Sequence, residues 1–229
     1  MEETLKKMQG LNPGRKILTV YDKSFAKYGT VHNNFKTDLL MGYIKKNNIL
    51  QKDLVYVADV PIMRKELASQ LKPIMSSIYG GLEVQSGVCY GNNDTLNGFE
   101  FHQGSEVYIV GADMIMMLGL AKDINWSDGT YDSSLTGFYY APAGTVIELT
   151  GGCMHWAGSQ VRKSEGISVI VSLLKGTNTA IDFKVGASIK DRMLIAKNTW
   201  FIAHPECALA VSSGWHIGIK GENHKFNTL

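Results

Sequence analysis

The chain has 229 residues with a formal charge of +2 at pH 7, and a β-barrel commonly reaches this length as one unit. Hydrophobic residues make up 45% and charged residues 19%, which is typical of a globular protein. So small a net charge excludes the basic surface of a nucleic-acid-binding protein.

No apolar run reaches the roughly 18 to 20 residues that cross a bilayer, and the N-terminal segment is charged rather than signal-like. We therefore expect a cytoplasmic protein with no membrane partner. Cys89, Cys153 and Cys207 form an odd number without the short spacing of metal-binding cysteines. They are expected to be reduced thiols that pack in the interior.

Residues 1–79 show the pattern of an α+β segment packed on the rest of the chain. Short valine- and isoleucine-rich runs indicate strands, and apolar residues at a spacing of three and four indicate helices. The predicted elements are strands at 17–21 and 54–60 and helices at 35–49 and 62–78. The sequence shows no firm boundary at the end of this segment.

Residues 80–229 show short β-rich runs separated by Gly, Asn and Asp about every ten residues, a rhythm typical of an antiparallel barrel or sandwich. Eight strands, enough to close a jelly roll, are predicted at 82–90, 96–101, 106–110, 114–118, 137–141, 146–149, 154–157 and 167–174. Two apolar runs of the tail, 194–203 and 215–219, predict strands added to one sheet.

Potential ligands gather around residue 102. In an extended strand Glu100 and His102 point to one face, while Phe99 and Phe101 point to the other. Glu106 follows a tight turn and begins the next strand, where it can return beside His102.

A second candidate segment follows about fifty residues later, where Glu148 lies in a hydrophobic strand and His155 opens the next one. A buried carboxylate must be paired, metal-bound or protonated, so an inward-facing Glu148 is a ligand or a general base with a raised pKa. The alternative is that Glu148 faces solvent. Glu100 has the same two interpretations.

The first segment resembles the first motif of the cupin superfamily, a His-x-His pair followed by Glu. Glu100, His102 and Glu106 match it, with glutamate in place of the first histidine. The second motif is matched by Gly144, the run 150–152 and His155, with Thr150 where proline is usual and Ser159 where asparagine is usual.

The chain as a whole is similar to an uncharacterised bacterial cupin-like family, a domain of unknown function. The similarity is carried by residues 28–29, 84–85, 91–92, 96–97, 102–106, 144–149, 154–155, 175–178, 200–204 and 221–223. It implies a mainly β fold, the cupin-type double-stranded β-helix or jelly roll, with N-terminal helices and extra C-terminal strands. Cupin-like barrels often pair through edge strands, so it also implies a homodimer.

The resemblance implies that His102, Glu106 and His155 hold one divalent metal ion inside the barrel, with Glu100 as a candidate fourth ligand. Two imidazoles and a carboxylate suit iron, manganese, nickel, cobalt or zinc. Three protein ligands leave positions open for a small-molecule substrate. Further pocket candidates are Gln85, Lys175, Asn178 and His204, and for Gln85 a structural amide is equally open.

An open metal site beside spare carboxylates predicts an isomerase or epimerase of a small hydroxylated substrate, such as a sugar, sugar phosphate or sugar acid. Glu148 or Glu100 would move the proton between carbons. One alternative is lyase or dioxygenase chemistry at the same site. Another is a barrel that binds a small ligand and catalyses nothing.

Overall fold

The computed structural model describes residues 1–48 and 50–229. Ile49, the last residue of the predicted helix 35–49, lies outside the described residues. The helices are α1 (Glu2–Leu11), α2 (Asp38–Asn47), α3 (Pro61–Lys65), α4 (Ala68–Tyr79), α5 (Ile189–Met193) and α6 (Ala208–Ser213). In the described part of the chain, none of them has both the length and the apolar character of a membrane span.

The strands are short and concentrated after residue 80, as the turn spacing predicts. They are β1 (Ile17–Thr19), β2 (Gly29–His32), β3 (Val55–Val57), β4 (Val84–Gly91), β5 (Gly98–Phe101), β6 (Glu106–Val110), β7 (Met114–Leu120), β8 (Tyr131–Asp132), β9 (Gly137–Ala141), β10 (Val146–Leu149), β11 (Cys153–Met154), β12 (Ser159–Gln160), β13 (Ile167–Leu174), β14 (Leu194–Ala196), β15 (Thr199–Ala203) and β16 (Ile219–Lys220).

Two large sheets pack face to face. The first has the order β2-β10-β6-β13-β4-β3, and the second has the order β1-β9-β7-β11, with β12 also paired to β7. Tyr108 and Ile147 from the first sheet meet Met116 and Tyr139 from the second in one buried cluster. Largely antiparallel sheets that enclose one core in this way form a jelly roll, so the predicted fold class is confirmed.

Helices cover the outer face of the first sheet. Leu71, Ile74 and Met75 line one side of α4 at helical spacing and pack with Ile109 and Ile170, which alternate with the residues that face the barrel interior. Helices α2 and α4 therefore pack on the first sheet, and residues 1–79 also supply β1, β2 and β3 to the two sheets.

The predicted helix 62–78 is two helices in the structure. The amide groups of Glu66 and Leu67 both donate to the carbonyl of Ile62, and the next amides, of Gln70 and Leu71, donate to Leu67. The regular ladder of hydrogen bonds ends and restarts at this point, so the periodic apolar pattern continues across a break in the backbone.

The predicted addition of both tail runs to one sheet is wrong. The run 194–203 turns back at Asn198, which has a left-handed backbone conformation with a φ of 56°. The run therefore forms the hairpin of β14 and β15. This hairpin pairs with β5, whereas the run 215–219 shortens to β16, which pairs with β8 in a separate sheet. The helices α1 and α6 are not predicted by the apolar pattern.

We predict opposite effects for two glycine-to-alanine changes. A Cβ at Gly29 would collide with the Glu148 carbonyl across the β2–β10 pair, whereas a Cβ at Gly42 in α2 meets open space. Overpacking by Gly29→Ala is expected to lower the free energy of unfolding by about 1 to 3 kcal/mol. Gly42→Ala is expected to raise it by about 0.5 to 1 kcal/mol. Urea unfolding measures both, and equal midpoints for the two variants would contradict the close β2–β10 contact.

Candidate metal centre

Four side chains, Glu100, His102, Glu106 and His155, meet on the inner side of the barrel, and we call them the His–Glu cluster. Glu100 lies on β5, His102 follows that strand directly, and Glu106 begins β6. Glu100 and His155 are paired by two backbone hydrogen bonds, of 2.7 and 2.9 Å, which fix them side by side. The turn before His155 is tied to the same place, because the Gly152 amide donates to the His102 carbonyl at 3.0 Å.

The spacing of the cluster suits a bound ion. One ligand atom from each of Glu100, His102 and His155 lies within 4.8 Å of the others. Glu106 Oε2 lies 3.2 Å from His102 Nε2 and 2.5 Å from His155 Nε2. Two donor atoms about 2.1 Å from a common ion and at right angles to each other are about 3.0 Å apart. The two measured distances lie on either side of this value.

Backbone carbonyls determine which nitrogen of each histidine carries the proton. His102 Nδ1 lies 2.8 Å from the Asn198 carbonyl, and His155 Nδ1 lies 3.1 Å from the Cys153 carbonyl. Because a carbonyl oxygen can only accept, each Nδ1 donates a hydrogen bond. In the neutral rings both Nε2 atoms therefore present a lone pair toward Glu106.

Three buried acceptor atoms thus face one another. His102 Nε2, His155 Nε2 and Glu106 Oε2 are shielded from water and lack a partner with hydrogen-bond geometry among the described residues, although their separations are short. Leaving one such group unpaired costs about 1 to 3 kcal/mol. A cation among the three atoms removes this cost for all of them at once, so the His–Glu cluster can hold a metal ion.

The pKa shifts of Glu106 and His155 also indicate that the cluster favours a bound cation. Burial would raise the pKa of Glu106, but attraction to His155 and contact with His102 outweigh it and lower that pKa to about 2. Burial would lower the pKa of His155, but the charge of Glu106 raises it to about 9. The carboxylate therefore stays ionised and pulls a cation, either a proton or a metal ion, toward the imidazoles.

Glu100 lines a cavity together with Glu106, whose Oε2 is already directed at the two imidazoles. Burial raises the pKa of the Glu100 carboxyl group against the attraction of His102 and His155, and no hydrogen bond contributes to the shift. Glu100 is therefore placed either to complete the set of ligands or to exchange a proton with a bound molecule.

The cavity beside the cluster has a volume of about 320 Å³. Its lining residues are Leu54, Tyr56, Cys89, Glu100, Glu106, Tyr108, Trp156, Ala157, Val171, Asn178, Ile195, Phe201, Leu209 and Trp215. Trp156 and Trp215 lie on either side of Phe201, with ring centroids 5.1 and 4.9 Å away, and we call these three residues the aromatic wall. A cavity of this size lies at the small end of the roughly 300 to 1,000 Å³ typical of ligand sites.

Sequence reasoning misses Tyr56, Trp156 and Trp215. Trp156 directly follows the predicted ligand His155, and this position beside a ligand could have identified it from the sequence. Tyr56 reaches the cavity because β3 pairs with β4, which sets Tyr56 opposite Cys89. Trp215 reaches the cavity from a distant part of the chain. Neither position follows from local spacing.

The structure does not bring Glu148 to the cluster. The interpretation that its side chain faces the barrel interior is wrong. Side chains of β10 alternate, so Ile147 faces the barrel interior and Glu148 faces the helices with Val146. The Glu148 carboxylate lies 3.0 Å from His32 Nε2 and accepts a hydrogen bond from the Ser105 hydroxyl at 2.6 Å. Burial of this carboxylate is compensated without a metal.

Gln85, Lys175 and His204 lie outside the set of residues that lines the cavity, whereas the pocket candidate Asn178 belongs to that set. The Gln85 amide is used by the turn after β13, since it donates to the Thr177 carbonyl and accepts from the Gly176 amide, both at 2.8 Å. Lys175 is exposed and pairs with Glu83 at 3.0 Å. Both ring nitrogens of His204 contact backbone groups.

The fold and this site describe a jelly-roll protein with a candidate metal centre beside an aromatic cavity. Residues 17–224 match the family model described as a domain of unknown function (DUF4867), and the chain belongs to this family. The prediction of an uncharacterised family is thereby confirmed. No curated protein matches the sequence.

Solved structures with a similar fold include three that span different shares of the chain. The epimerase SnoN from nogalamycin biosynthesis is 12% identical over 82% of this chain and 96% of its own, with a TM-score of 0.39. An oxalate decarboxylase from Bacillus subtilis is 10% identical over 81% of this chain and 40% of its own, with a TM-score of 0.32. Vicilin from hazelnut, Corylus avellana, is 8% identical over 74% of this chain and 39% of its own, with a TM-score of 0.33.

The chain therefore spans less than half the length of two of these three proteins, and another matching oxalate decarboxylase is covered over only 24% of its chain. Similarities this distant carry no activity, substrate or metal to the present chain.

We predict that the purified protein carries about one divalent ion per chain. His102→Ala and His155→Ala each remove an Nε2 ligand. Loss of a residue that only hydrogen-bonds to a ligand lowers metal affinity by roughly 10- to 100-fold, and loss of the ligand itself is expected to lower it by more. Elemental analysis and metal titration measure this. His216→Ala is the control, because His216 contacts the Gly129 carbonyl away from the cluster. Unchanged metal content in both cluster variants would show that protons alone satisfy the three acceptors.

Proposed function

We propose that the protein is a metal-dependent isomerase or epimerase that acts on a small hydroxylated substrate, with sugars, sugar phosphates and sugar acids as the candidate classes. The observation that carries the proposal is the convergence of His102 Nε2, His155 Nε2 and Glu106 Oε2, all buried and without hydrogen-bond partners in the described chain. Iron, manganese, nickel, cobalt and zinc all suit two imidazoles and a carboxylate.

A divalent ion in the His–Glu cluster would supply Lewis acidity, which favours loss of a proton from the carbon next to a carbonyl. The rings of His102 and His155 are held by their Nδ1 contacts with backbone carbonyls, which direct both Nε2 atoms toward Glu106. The aromatic wall gives the cavity an apolar surface beside the cluster.

Glu100 is the residue we propose as the acid–base group. Its carboxylate faces the cavity, whereas Glu106 is turned to the two imidazoles. Glu100 would take a proton from one substrate carbon and return it to the neighbouring carbon. Glu148 does not fit this role, because it lies on the other face of the sheet.

The matched pair Glu100→Gln and Glu148→Gln tests this assignment. Glu100→Gln is expected to lower kcat by about 100-fold or more, because a general base contributes roughly 100- to 10,000-fold. Glu148→Gln is expected to retain turnover, since it changes a carboxylate of similar burial on the opposite face. Incorporation of deuterium from D₂O into a panel of aldoses, ketoses and uronates, followed by NMR with metal-loaded protein, measures the proton transfer. A larger loss in Glu148→Gln than in Glu100→Gln would reverse the assignment.

A dioxygenase or lyase is the second candidate, and the set of two imidazoles and one carboxylate favours it when the ion is iron. Oxygen consumption by the iron-loaded protein during turnover, without deuterium exchange, would select it. Thermal stabilisation by sugars without any turnover would favour a non-catalytic binding protein. The homodimer and the cytoplasmic location stay predictions, and analytical ultracentrifugation tests the first.

A further inference from the structure

We infer that the cavity takes an uncharged substrate with an apolar face, and that it rejects substrates whose end away from the metal carries a phosphate or carboxylate. The inference rests on the proposed metal site, because the metal would hold the oxygen-bearing end of the substrate. It narrows the candidate classes by the chemistry of the remaining cavity surface.

The charged groups that reach the cavity are all acidic. Its lining residues, all of them within the described chain, include Glu100 and Glu106 but neither lysine nor arginine. Two lysines on nearby turns are paired with acids outside the cavity, since Lys175 lies 3.0 Å from Glu83 and Lys197 lies 2.5 Å from Asp182. A phosphate placed away from the metal would therefore lose its hydration without gaining a cationic partner.

The cavity surface beside the cluster is apolar, with Phe201 paired directly with Glu100 across β15 and β5. The aromatic wall offers ring faces and edges, and the apolar surface continues outward to Leu209, which is 53% exposed at the cavity mouth. A planar or apolar group that packs on this surface removes it from water, and such burial contributes roughly 25 cal/mol per Å².

The mouth also offers one neutral hydrogen-bond donor. The Thr199 hydroxyl donates to Asn178 Oδ1 at 2.5 Å, and Asn178 Nδ2 donates to the Tyr56 oxygen at 3.0 Å. Asn178 is held for this contact in a left-handed backbone conformation with a φ of 65°. Because the Tyr56 oxygen is the acceptor in this contact, its own proton remains for an oxygen of the ligand. A hydroxyl, ether or carbonyl group fits this donor.

Three probes with the same hydroxyketone head separate these contributions. They are 2-hydroxyacetophenone, dihydroxyacetone and dihydroxyacetone phosphate, which carry a phenyl, a hydroxymethyl and a phosphorylated group on the same carbonyl. Calorimetric titration of the Zn²⁺-loaded protein is expected to give a Kd for 2-hydroxyacetophenone at least tenfold lower than for dihydroxyacetone phosphate, with dihydroxyacetone between them. Equal or tighter binding of the phosphate, or no binding of the phenyl probe, would overturn the inference.

Variants of cavity residues test whether the preference for the apolar probe arises in the cavity. Trp215→Ala is expected to weaken 2-hydroxyacetophenone at least fivefold and to leave dihydroxyacetone unchanged. Trp126→Ala is the control, because Trp126 contacts Phe101 on the other face of β5. Leu209→Lys, a change at an exposed position, is expected to strengthen dihydroxyacetone phosphate at least fivefold by supplying the missing cation. An unchanged phosphate affinity in Leu209→Lys, together with an unchanged phenyl affinity in Trp215→Ala, would place the probes elsewhere.

The same titration in His102→Ala separates this inference from the proposed function. If the phenyl preference persists while overall affinity no longer depends on metal, the apolar character of the cavity stands and the metal-dependent mechanism fails. If affinity depends on metal but the phosphate binds best, the metal site stands and the inference on substrate charge fails.

Discussion

The structure of the site depends on three lone pairs that are forced toward one point. Backbone carbonyls at Asn198 and Cys153 hold the Nδ1 protons of His102 and His155, so both Nε2 atoms face Glu106 as acceptors. Such a group is unfavourable in a buried setting unless a cation joins it. A cation bound there would therefore add to the stability of the barrel interior, and its open side would determine where a ligand can approach.

Much of this arrangement follows from the alternation of side chains along strands. Period-two spacing predicts that Glu100 and His102 share a face opposite Phe99 and Phe101, and the phenylalanines do pack in a separate core cluster. The strands at 106–110, 137–141, 146–149 and 167–174 have the bounds that the sequence predicts, because glycine and polar turns delimit them clearly. The pairing of Glu100 with His155 is a long-range contact that local pattern does not contain.

Alternation cannot orient a strand whose two faces are both covered. Both sequence neighbours of Glu148, Ile147 and Leu149, are apolar and face the barrel core, while Val146 faces the helices beside Glu148. The sequence 146–149 therefore has no polar side from which inward and outward can be told apart. Only the β10–β6 register, which sets Glu148 opposite Val107 and Leu149 opposite Glu106, decides it. Tyr56 and Trp215 were missed for a related reason, since they reach the cavity from segments that are distant from the cluster in the sequence.

Charge balance links the metal site to the substrate that the cavity favours. A divalent ion would neutralise the two carboxylates of Glu100 and Glu106, which leaves the cavity without surplus positive charge. An anionic group of the substrate could then be compensated only at the ion itself. A site of this kind would stabilise negative charge that develops at the metal end of a neutral substrate more than charge that the substrate brings with it, and such a difference would accelerate a proton transfer.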